Sequence, residues 1–440
     1  MTRRTTGRSL RLALLALLLA GSLPAAADGH GGSGASGGSR SSDGIPGASL
    51  ESLLDYAQRR NPEFAAMRYE AEAADERVTP AGALPDPKFR AELRDITRMG
   101  EQRATLSPSQ VGSTKYLLMQ DLPWYGKRDL KREIAEQEAA GAKGRAHGTW
   151  SEIAARLKAA HAQRYYVQHN AALAQEILDL MVRLEKVAQV RYAGGLAAQQ
   201  DVIRAQVEQT AMRNELLMLE NERHHLQARV NSLLARPAMA PLADPERLRP
   251  LPAPARLDHA ALEDRLRAKN PQLFAADTQI RAAEKSRELT YRNRYPDFTL
   301  GVSPIQYQSS VQEWELMVEM NIPLQQSSRR AQERESEAML AAARARKEAT
   351  TWQLLGELSE NLGGIDTARR SELLASNQLL PQAETSFRAA LAGYENGKVD
   401  FATLLDAQRQ IRQAKQNRLK AQVEAQLRLA EIERLLGEEL

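Results

Sequence analysis

The side chains that could bind a metal or move a proton are seven histidines, eleven methionines and 56 acidic residues, and there is no cysteine. His161 and His169 are eight positions apart, whereas His224 and His225 are adjacent. A metalloprotease helix places two histidines four apart, as in HExxH, because those positions share one face. Neither that motif nor a GxxxxGKS/T phosphate loop occurs, and the methionines are scattered. The sequence therefore predicts a protein that is not an enzyme, with no metal site and no cofactor.

The composition indicates which elements carry these residues. Of 440 residues, 42% are hydrophobic but only 5% are aromatic, which is few for large compact cores. Ala, Leu, Glu, Gln, Lys and Arg dominate, as they do in long helices. The 60 basic and 56 acidic residues nearly balance. Because no domain-sized basic excess is present, a nucleic acid partner is not expected.

The first 27 residues have the pattern of an export signal peptide. An arginine-rich start (3–11) precedes an apolar stretch (12–19) and a small-residue cleavage site (25–27). Residues 28–48 are rich in Gly and Ser and predict a flexible leader. Without cysteine, neither a disulfide framework nor a lipidated N-terminal cysteine is expected. Attachment to a membrane would have to rest on the fold itself.

The chain after residue 48 repeats its landmarks about 200 residues later, in the same order. The pairs are Asn61-Pro62 with Asn270-Pro271, Pro85-Asp86-Pro87 with Pro296-Asp297, Leu122-Pro123 with Ile322-Pro323, Tyr192 to Gly195 with Tyr394 to Gly397, and Ala205-Gln206 with Ala407-Gln408. The sequence therefore predicts a first structural repeat at 49–236 and a second at 258–437. A proline-rich linker at 237–257 is expected between them.

Each repeat predicts a helix, two strands, a very long helix, a Gly turn and a shorter helix. The helices are expected at 50–80, 126–190 and 197–235, and again at 258–292, 327–392 and 400–436. The two shorter helices of each repeat together match the long one, which predicts that they stack end to end beside it. Leucines at 3–4 spacing, as at Leu216 and Leu219, indicate coiled-coil packing. A plain antiparallel coiled-coil scaffold is the alternative for these segments.

The predicted strands separate apolar from charged residues. In residues 88–95, Phe89, Ala91 and Leu93 fall on one face and charged residues on the other. Residues 298–303 and 314–322 alternate in the same way. A soluble sheet covering a core is one explanation, but no other apolar layer is available to cover it. A membrane β-barrel with a watery lumen is the other explanation. Four strands cannot close such a barrel, so the chain would have to oligomerise.

These landmarks together resemble the TolC-like outer-membrane efflux family over residues 49–437. The features that carry the resemblance are the Asn-Pro helix openings, the strand boundaries, the Tyr-x-x-Gly turns and the end of the second turn: Asn61-Pro62, Leu84 to Pro87, Leu122 to Arg128, Tyr192 to Gly195, Tyr394 to Gly397 and Leu404 to Gln408. The strand exit Pro123-Trp124-Tyr125-Gly126-Lys127-Arg128 is most similar to that of the CusC/CzcC heavy-metal branch.

The resemblance implies a mixed α and β fold in which long helices form a periplasmic α-barrel. Four transmembrane strands per chain would close as a 12-stranded barrel in a homotrimer, within outer-membrane lipid. It also implies a passive exit duct that works with a periplasmic adaptor and an inner-membrane transporter, with heavy-metal cations as the expected cargo. Type I protein secretion and multidrug efflux are alternatives for the same duct. A periplasmic coiled-coil adaptor is the alternative from a different class.

The resemblance further implies a gate and a docking surface at the two Gly turns. Asp406 matches a constriction-ring acid and Asp201 a latch acid, and Tyr394 and Lys398 complete the expected gate, with Lys398 beside the position of a missing basic latch. The expected adaptor contacts are in the two turns, at Tyr192, Gly195, Leu196, Gly397 and Val399. The competing interpretations are an ordinary helix turn and ordinary solvated or helix-capping aspartates. Asp400 is predicted to be an N-cap or a first-turn acid of the last helix.

Overall fold

The computed structural model describes residues 46–97 and 104–440, so the predicted signal peptide and nearly all of the leader lie outside the described residues. The first half contains α1 (Leu50–Arg60), α2 (Pro62–Glu76), α3 (Val78–Gly82), β1 (Lys88–Arg94), β2 (Ser113–Leu122), α4 (Lys127–Ala193) and α5 (Gln199–Leu233). The second half contains a 3-10 turn (Pro254–Leu257), α6 (His259–Lys269), α7 (Pro271–Arg292), β3 (Phe298–Tyr307), β4 (Ser310–Met320), α8 (Gln326–Leu374), a π-helical turn (Ala375–Leu379), α9 (Leu380–Glu395) and α10 (Phe401–Leu436). The predicted mixture of long helices and a few strands is confirmed.

The first helix of each half is broken, which the sequence-based prediction of continuous helices at 50–80 and 258–292 did not anticipate. The breaks fall at Asn61 and Asn270, each followed by a proline. A residue before proline is pushed to extended backbone, and Asn61 has ψ 121° while Asn270 has ψ 125°. The proline then starts the next helix, where its missing N–H costs nothing.

Each of these asparagines joins two helix ends. The Oδ1 of Asn61 accepts from the N–H of Phe64 at 2.9 Å, and its Nδ2 donates to the carbonyl of Leu233, the last residue of α5, at 2.8 Å. Asn270 does the same: it accepts from the N–H of Leu273 at 2.9 Å and donates to the carbonyl of Leu435 near the end of α10 at 2.7 Å. Both side chains therefore cap the start of one helix and the end of another. The short helices of each half meet end to end at this point.

The long helices pack closely because small residues line their contacts. α4 has 67 residues, about 100 Å at 1.5 Å per residue. Where it crosses α7, a Cβ added at Gly144 would lie 2.8 Å from the ring of Phe274, and one at Gly141 would lie 2.7 Å from the hydroxyl of Thr278. Only glycine allows this approach. Among the described residues, no helix combines the length and the apolar character needed to cross a membrane.

The long helix predicted at 327–392 is interrupted by the π-helical turn at Ala375–Leu379, which α4 lacks. The N–H of Leu380 donates to the carbonyl of Ala375, five residues back. The cause in the sequence is Pro381, which cannot donate to the carbonyl four residues before it and would clash with that group. A π turn just before the proline relieves the clash without ending the helix. The two long arms of the duplicated fold therefore differ at one point.

The four strands form one antiparallel sheet in the order β1-β2-β3-β4, so the two halves pair through β2 and β3. Register aligns Phe89, Leu118, Val302 and Leu316 in a single row across all four strands. These four side chains are 43–75% exposed. The predicted apolar face therefore exists, and nothing within the described chain covers it. We call this row and its neighbours on the same face the apolar sheet face.

The opposite face carries charge, as predicted, with one exception. Lys88 pairs with Asp121 at 2.7 Å. Lys115 of β2 pairs with Glu315 of β4, over the strand β3 that lies between them. Leu117 and Met119 lie on this face yet are buried, 3% and 8% exposed. They fill the space above Gly301, since a Cβ there would lie 3.0 Å from Leu117 Cδ1 and 3.4 Å from Met119 Cγ. The glycine explains why the β2 pattern alternates less cleanly in the sequence.

Candidate channel site at the tip turns

The two Gly turns have the same backbone geometry. One joins α4 to α5 and the other joins α9 to α10. Gly195 has φ +72° and Gly397 has φ +69°, the left-handed region in which glycine is favoured. The N–H of Leu196 donates to the carbonyl of Arg191 at 2.7 Å, and the N–H of Lys398 donates to that of Gly393 at 2.8 Å. Each turn therefore closes by the six-residue bond of a Schellman motif.

Arg191, at the end of α4, connects the two turns. Its guanidinium lies 5.0 Å from the centre of the Tyr394 ring. Nη1 donates to the carbonyl of Glu395 at 2.7 Å, and Nη2 donates to the carbonyl of Leu196 at 3.3 Å. A cation at the C-terminal end of α9 also interacts favourably with the helix dipole. One side chain thus binds both tip turns of the chain.

Sequence reasoning did not single out Arg191. The only available signal was an asymmetry: Arg191 precedes Tyr192 in the first turn, whereas Gly393 precedes Tyr394 in the second. The duplication shows that this position differs between the repeats, but it does not reveal which residues the Arg191 side chain contacts. Glu395, its partner in the second turn, lies 204 residues away in the chain.

Asp201 and Tyr394, two of the predicted gate residues, lie close enough for each to shift the pKa of the other. Burial raises the pKa of Asp201; Arg204 lowers it, and the nearby carboxylate of Asp400 raises it further. Burial likewise raises the pKa of Tyr394, and the charge of Asp201 adds to that shift. The Tyr394 ring is 2% exposed and packs on Phe401 at a centroid distance of 5.3 Å. The raised pKa of both groups follows from their burial in a packed tip.

The acids at the start of α10 divide into two kinds. Asp400 is the N-cap, as predicted, and accepts from the N–H of Thr403 at 2.9 Å. The hydroxyl and N–H of Thr403 lower the pKa of Asp400. Asp406 instead points into solvent, with its side chain 69% exposed. Among the described residues, its ion-pair partner is Arg409, 3.7 Å away on the same helix. Asp406 is therefore exposed to solvent, whereas Asp400 is committed to its helix.

The residues predicted to contact an adaptor differ in exposure. Leu196 and Tyr192 are exposed, at 70% and 48%. Val399 is half-buried, and a Cβ added at Gly393 would lie 2.8 Å from its Cγ2, so it packs within its own turn. Lys398 is exposed and forms no ion pair with any described residue. The apolar tip surface therefore belongs to the first turn, and the second turn presents polar groups.

The boundary between the sheet and the helices carries a second cluster. The Trp124 ring stacks on Tyr295 at 5.1 Å between ring centroids, and the backbone N–H of Trp124 donates to Asp297 Oδ1 at 2.8 Å. Lys127 is buried and donates to the same carboxylate at 2.8 Å and to the carbonyl of Tyr295 at 2.9 Å. Arg128 donates to the carbonyl of Gly82. The motif after β2 therefore fastens the first repeat to the Tyr-Pro-Asp motif of the second.

The histidines are not arranged for metal binding in the described part of the chain. No group of three or more His, Asp or Glu side chains there could hold an ion. His161 is buried in α4, and desolvation lowers its pKa to about 4, with Arg164 contributing. His169 stacks on Tyr165 at 3.8 Å between ring centroids. Both are packing residues.

Comparison with known proteins identifies a family and a relative. The outer membrane efflux protein family matches residues 262–438. The cobalt-zinc-cadmium resistance protein CzcC of Cupriavidus metallidurans is 25% identical over 397 residues, which cover 88% of this chain and 90% of that protein. The matched family segment is the second repeat, whereas the match to CzcC extends over both.

Solved structures show the same fold. The outer membrane protein VceC of Vibrio cholerae superposes with a TM-score of 0.76 at 18% identity, covering 89% of this chain and 96% of that one. CusC superposes with a TM-score of 0.69 at 15% identity, covering 88% and 92%. The predicted TolC-like fold is confirmed.

Proposed function

We propose that this chain is an outer-membrane efflux channel and the exit duct of a tripartite pump for heavy-metal cations. Its second repeat matches the outer membrane efflux protein family, and it shares the fold of VceC over 89% of its length. The observation that carries the membrane part of the proposal is the apolar sheet face. A row of four exposed apolar side chains spans all four strands, while the reverse face holds ion pairs. That division suits lipid outside and water inside.

The sheet edges support a homotrimer. β1 and β4 each have one neighbour within the described chain, so both leave an edge unpaired. An unpaired backbone group in hydrocarbon costs several kcal/mol, and only closure with other copies removes it. Three copies would give the 12-stranded barrel implied by the family resemblance. The long helices then extend the duct away from the membrane, where a periplasmic adaptor and an inner-membrane transporter would complete the pump.

The cargo proposal rests on the relative. CzcC carries cobalt, zinc and cadmium resistance in its name and aligns with 88% of this chain. The exposed carboxylate of Asp406 is consistent with cation passage, because three copies around a threefold axis would attract cations and repel anions. The duct needs no metal-ligating cluster of its own if the transporter upstream selects the ion.

The alternatives from the sequence are resolved unequally. The periplasmic adaptor hypothesis is wrong, because the chain has the fold of outer-membrane channels with two long-helix hairpins and a four-stranded sheet. Protein secretion and drug efflux keep the same duct and differ only in cargo. Three assays of a deletion strain separate metal efflux, drug efflux and protein secretion. They are growth on zinc, cobalt and cadmium, growth on hydrophobic drugs, and measurement of secreted protein. We expect selective metal sensitivity; sensitivity to drugs alone, or loss of a secreted protein alone, would overturn the cargo proposal.

A further inference from the structure

We propose that Arg409 tunes the constriction, holding a positive charge beside Asp406 so that the carboxylate ring passes divalent cations without trapping them. The inference rests on the proposed function, in which Asp406 of each subunit faces the lumen. It assigns a specificity-determining role to a residue that the gate predictions did not include.

The geometry is a chain of three side chains across two helices. Asp406 and Arg409 lie one turn apart on α10, with 3.7 Å between Asp406 Oδ1 and Arg409 Nη1. Arg409 Nη2 also contacts Glu208 Oε2 of α5 at 3.0 Å. The side chains of Asp406 and Arg409 are 69% and 52% exposed, whereas that of Glu208 is 7% exposed. Arg409 therefore reaches from the exposed face of α10 to a buried anchor.

The anchor decides where the arginine charge resides. A buried carboxylate needs a hydrogen-bonded cation to offset its loss of hydration. Arg409 is that cation, and its bond to Glu208 is the first cause of its raised pKa, so it stays charged at any pH the cell meets. An exposed arginine without such an anchor would sample many rotamers. Glu208 instead holds the guanidinium within ion-pair range of Asp406.

The consequence follows from what three bare carboxylates would do. Oxygen ligands converging on one axis are the donors that hard divalent cations prefer, and a site that binds too tightly blocks conduction. An exit duct for divalent metals has to attract its cargo and also release it. A fixed positive charge about 4 Å from each carboxylate lowers the local negative potential and weakens such binding. With the arginine in place, the Asp406 ring attracts cations but binds them weakly enough to release them.

The chain offers a matched control one turn further along α10. Arg412 contacts Glu215 of α5 at 3.2 Å, the same kind of link between hairpins. No other carboxylate pairs with Arg412 among the described residues. Arg412→Gln therefore removes an equivalent charge and an equivalent link without touching Asp406.

The test is ion permeation of purified full-length protein in planar bilayers, with cobalt ion as the blocking probe. For Arg409→Gln we expect the cation-to-anion permeability ratio to rise about two- to fivefold and the cobalt concentration for half-block to fall by a similar factor. Because Arg409→Gln leaves Glu208 buried without a partner, the double variant Glu208→Gln/Arg409→Gln guards against misfolding and should give the same shifts. Arg412→Gln should behave as wild type.

Asp406→Asn separates failure of this inference from failure of the proposed constriction. If Asp406→Asn lowers cation preference and cobalt block while both Arg409 variants match wild type, the inference is overturned and the constriction stands. If Asp406→Asn changes neither property, the constriction assignment fails first. Equal shifts in Arg412→Gln and Arg409→Gln would also overturn the inference, because the effect would then come from loosening the hairpins.

Discussion

Replacing Asn270 by alanine would remove two hydrogen bonds at the junction of α7 and α10. The side chain is 3% exposed, caps the N–H of Leu273 at 2.9 Å and donates to the carbonyl of Leu435 at 2.7 Å. Leu435 belongs to the last turn of α10, where carbonyls have no partner within the helix. The substitution therefore leaves the N–H of Leu273 and the carbonyl of Leu435 without their hydrogen-bond partner at the same time.

The two losses can be estimated separately. An N-cap residue changed to alanine costs about 1 kcal/mol. A buried carbonyl left without a donor costs about 1–3 kcal/mol. Asn270→Ala should therefore lower the free energy of unfolding by about 2–4 kcal/mol. Asn270→Ser keeps a capping oxygen but is too short to reach Leu435, so it should lose about 1 kcal/mol less.

The assay is denaturant unfolding of the detergent-solubilised protein, followed by its helical circular dichroism. Asn61→Ala is the matched variant in the other repeat, because Asn61 makes the same two bonds to Phe64 and Leu233 at 2.9 and 2.8 Å. We expect the two alanine variants to agree within about 1 kcal/mol. A loss of under about 0.5 kcal/mol for Asn270→Ala, which is typical of surface substitutions, would refute the double-cap account.

Three further predictions concern the tip, the junction and α4. Arg191→Met should broaden the distribution of distances between spin labels attached to cysteines introduced into the two tip turns. The labelling is specific because the chain has no native cysteine. An unchanged distribution would show that Arg191 does not hold the two turns together. Lys127→Met should lower the free energy of unfolding by about 1–3 kcal/mol, since it removes the buried partner of Asp297. Lys186→Met, at an exposed position of α4 away from Asp297, should stay within about 0.5 kcal/mol of wild type in the same unfolding assay. The unfolded chain protonates His161 near pH 6.5 and the folded chain only near pH 4, so stability is lost as pH falls through that window. Relative to His161→Gln, wild type should lose about 2 kcal/mol in unfolding experiments between pH 7.5 and pH 5, and parallel curves would contradict the buried neutral histidine.

Much of the fold follows from local signals in the sequence. Gly195 and Gly397 sit where left-handed backbone is needed, and Asp400 caps the helix that it precedes. The alternation around Phe89 and Val302 gives the apolar sheet face, because side chains on a strand change sides at every residue. These features depend on backbone chemistry within a few residues, so one chain without relatives is enough to find them.

The remaining features depend on contacts that are distant in sequence or on competition between local rules. The Asn-Pro breaks were recognised as landmarks, yet helix propensity on both sides favoured one continuous element. The π turn before Pro381 answers a proline within a long helix, and the sequence does not say whether such a helix kinks, ends or bulges. Arg191, Lys127 and Arg409 find their partners across the two repeats. Residue type alone does not identify the partner of a charged side chain at any of these positions.

The proposal that this chain is the duct through which metal cations leave the cell is tested most directly by efflux itself. Cells loaded with radioactive zinc are transferred to zinc-free medium, and the release of label is followed in wild type, in the deletion strain and in the deletion strain carrying the gene. The account predicts slow release without the protein and full recovery on complementation. Equal release rates in all three strains, with the protein present in the outer membrane of the wild type, would contradict it.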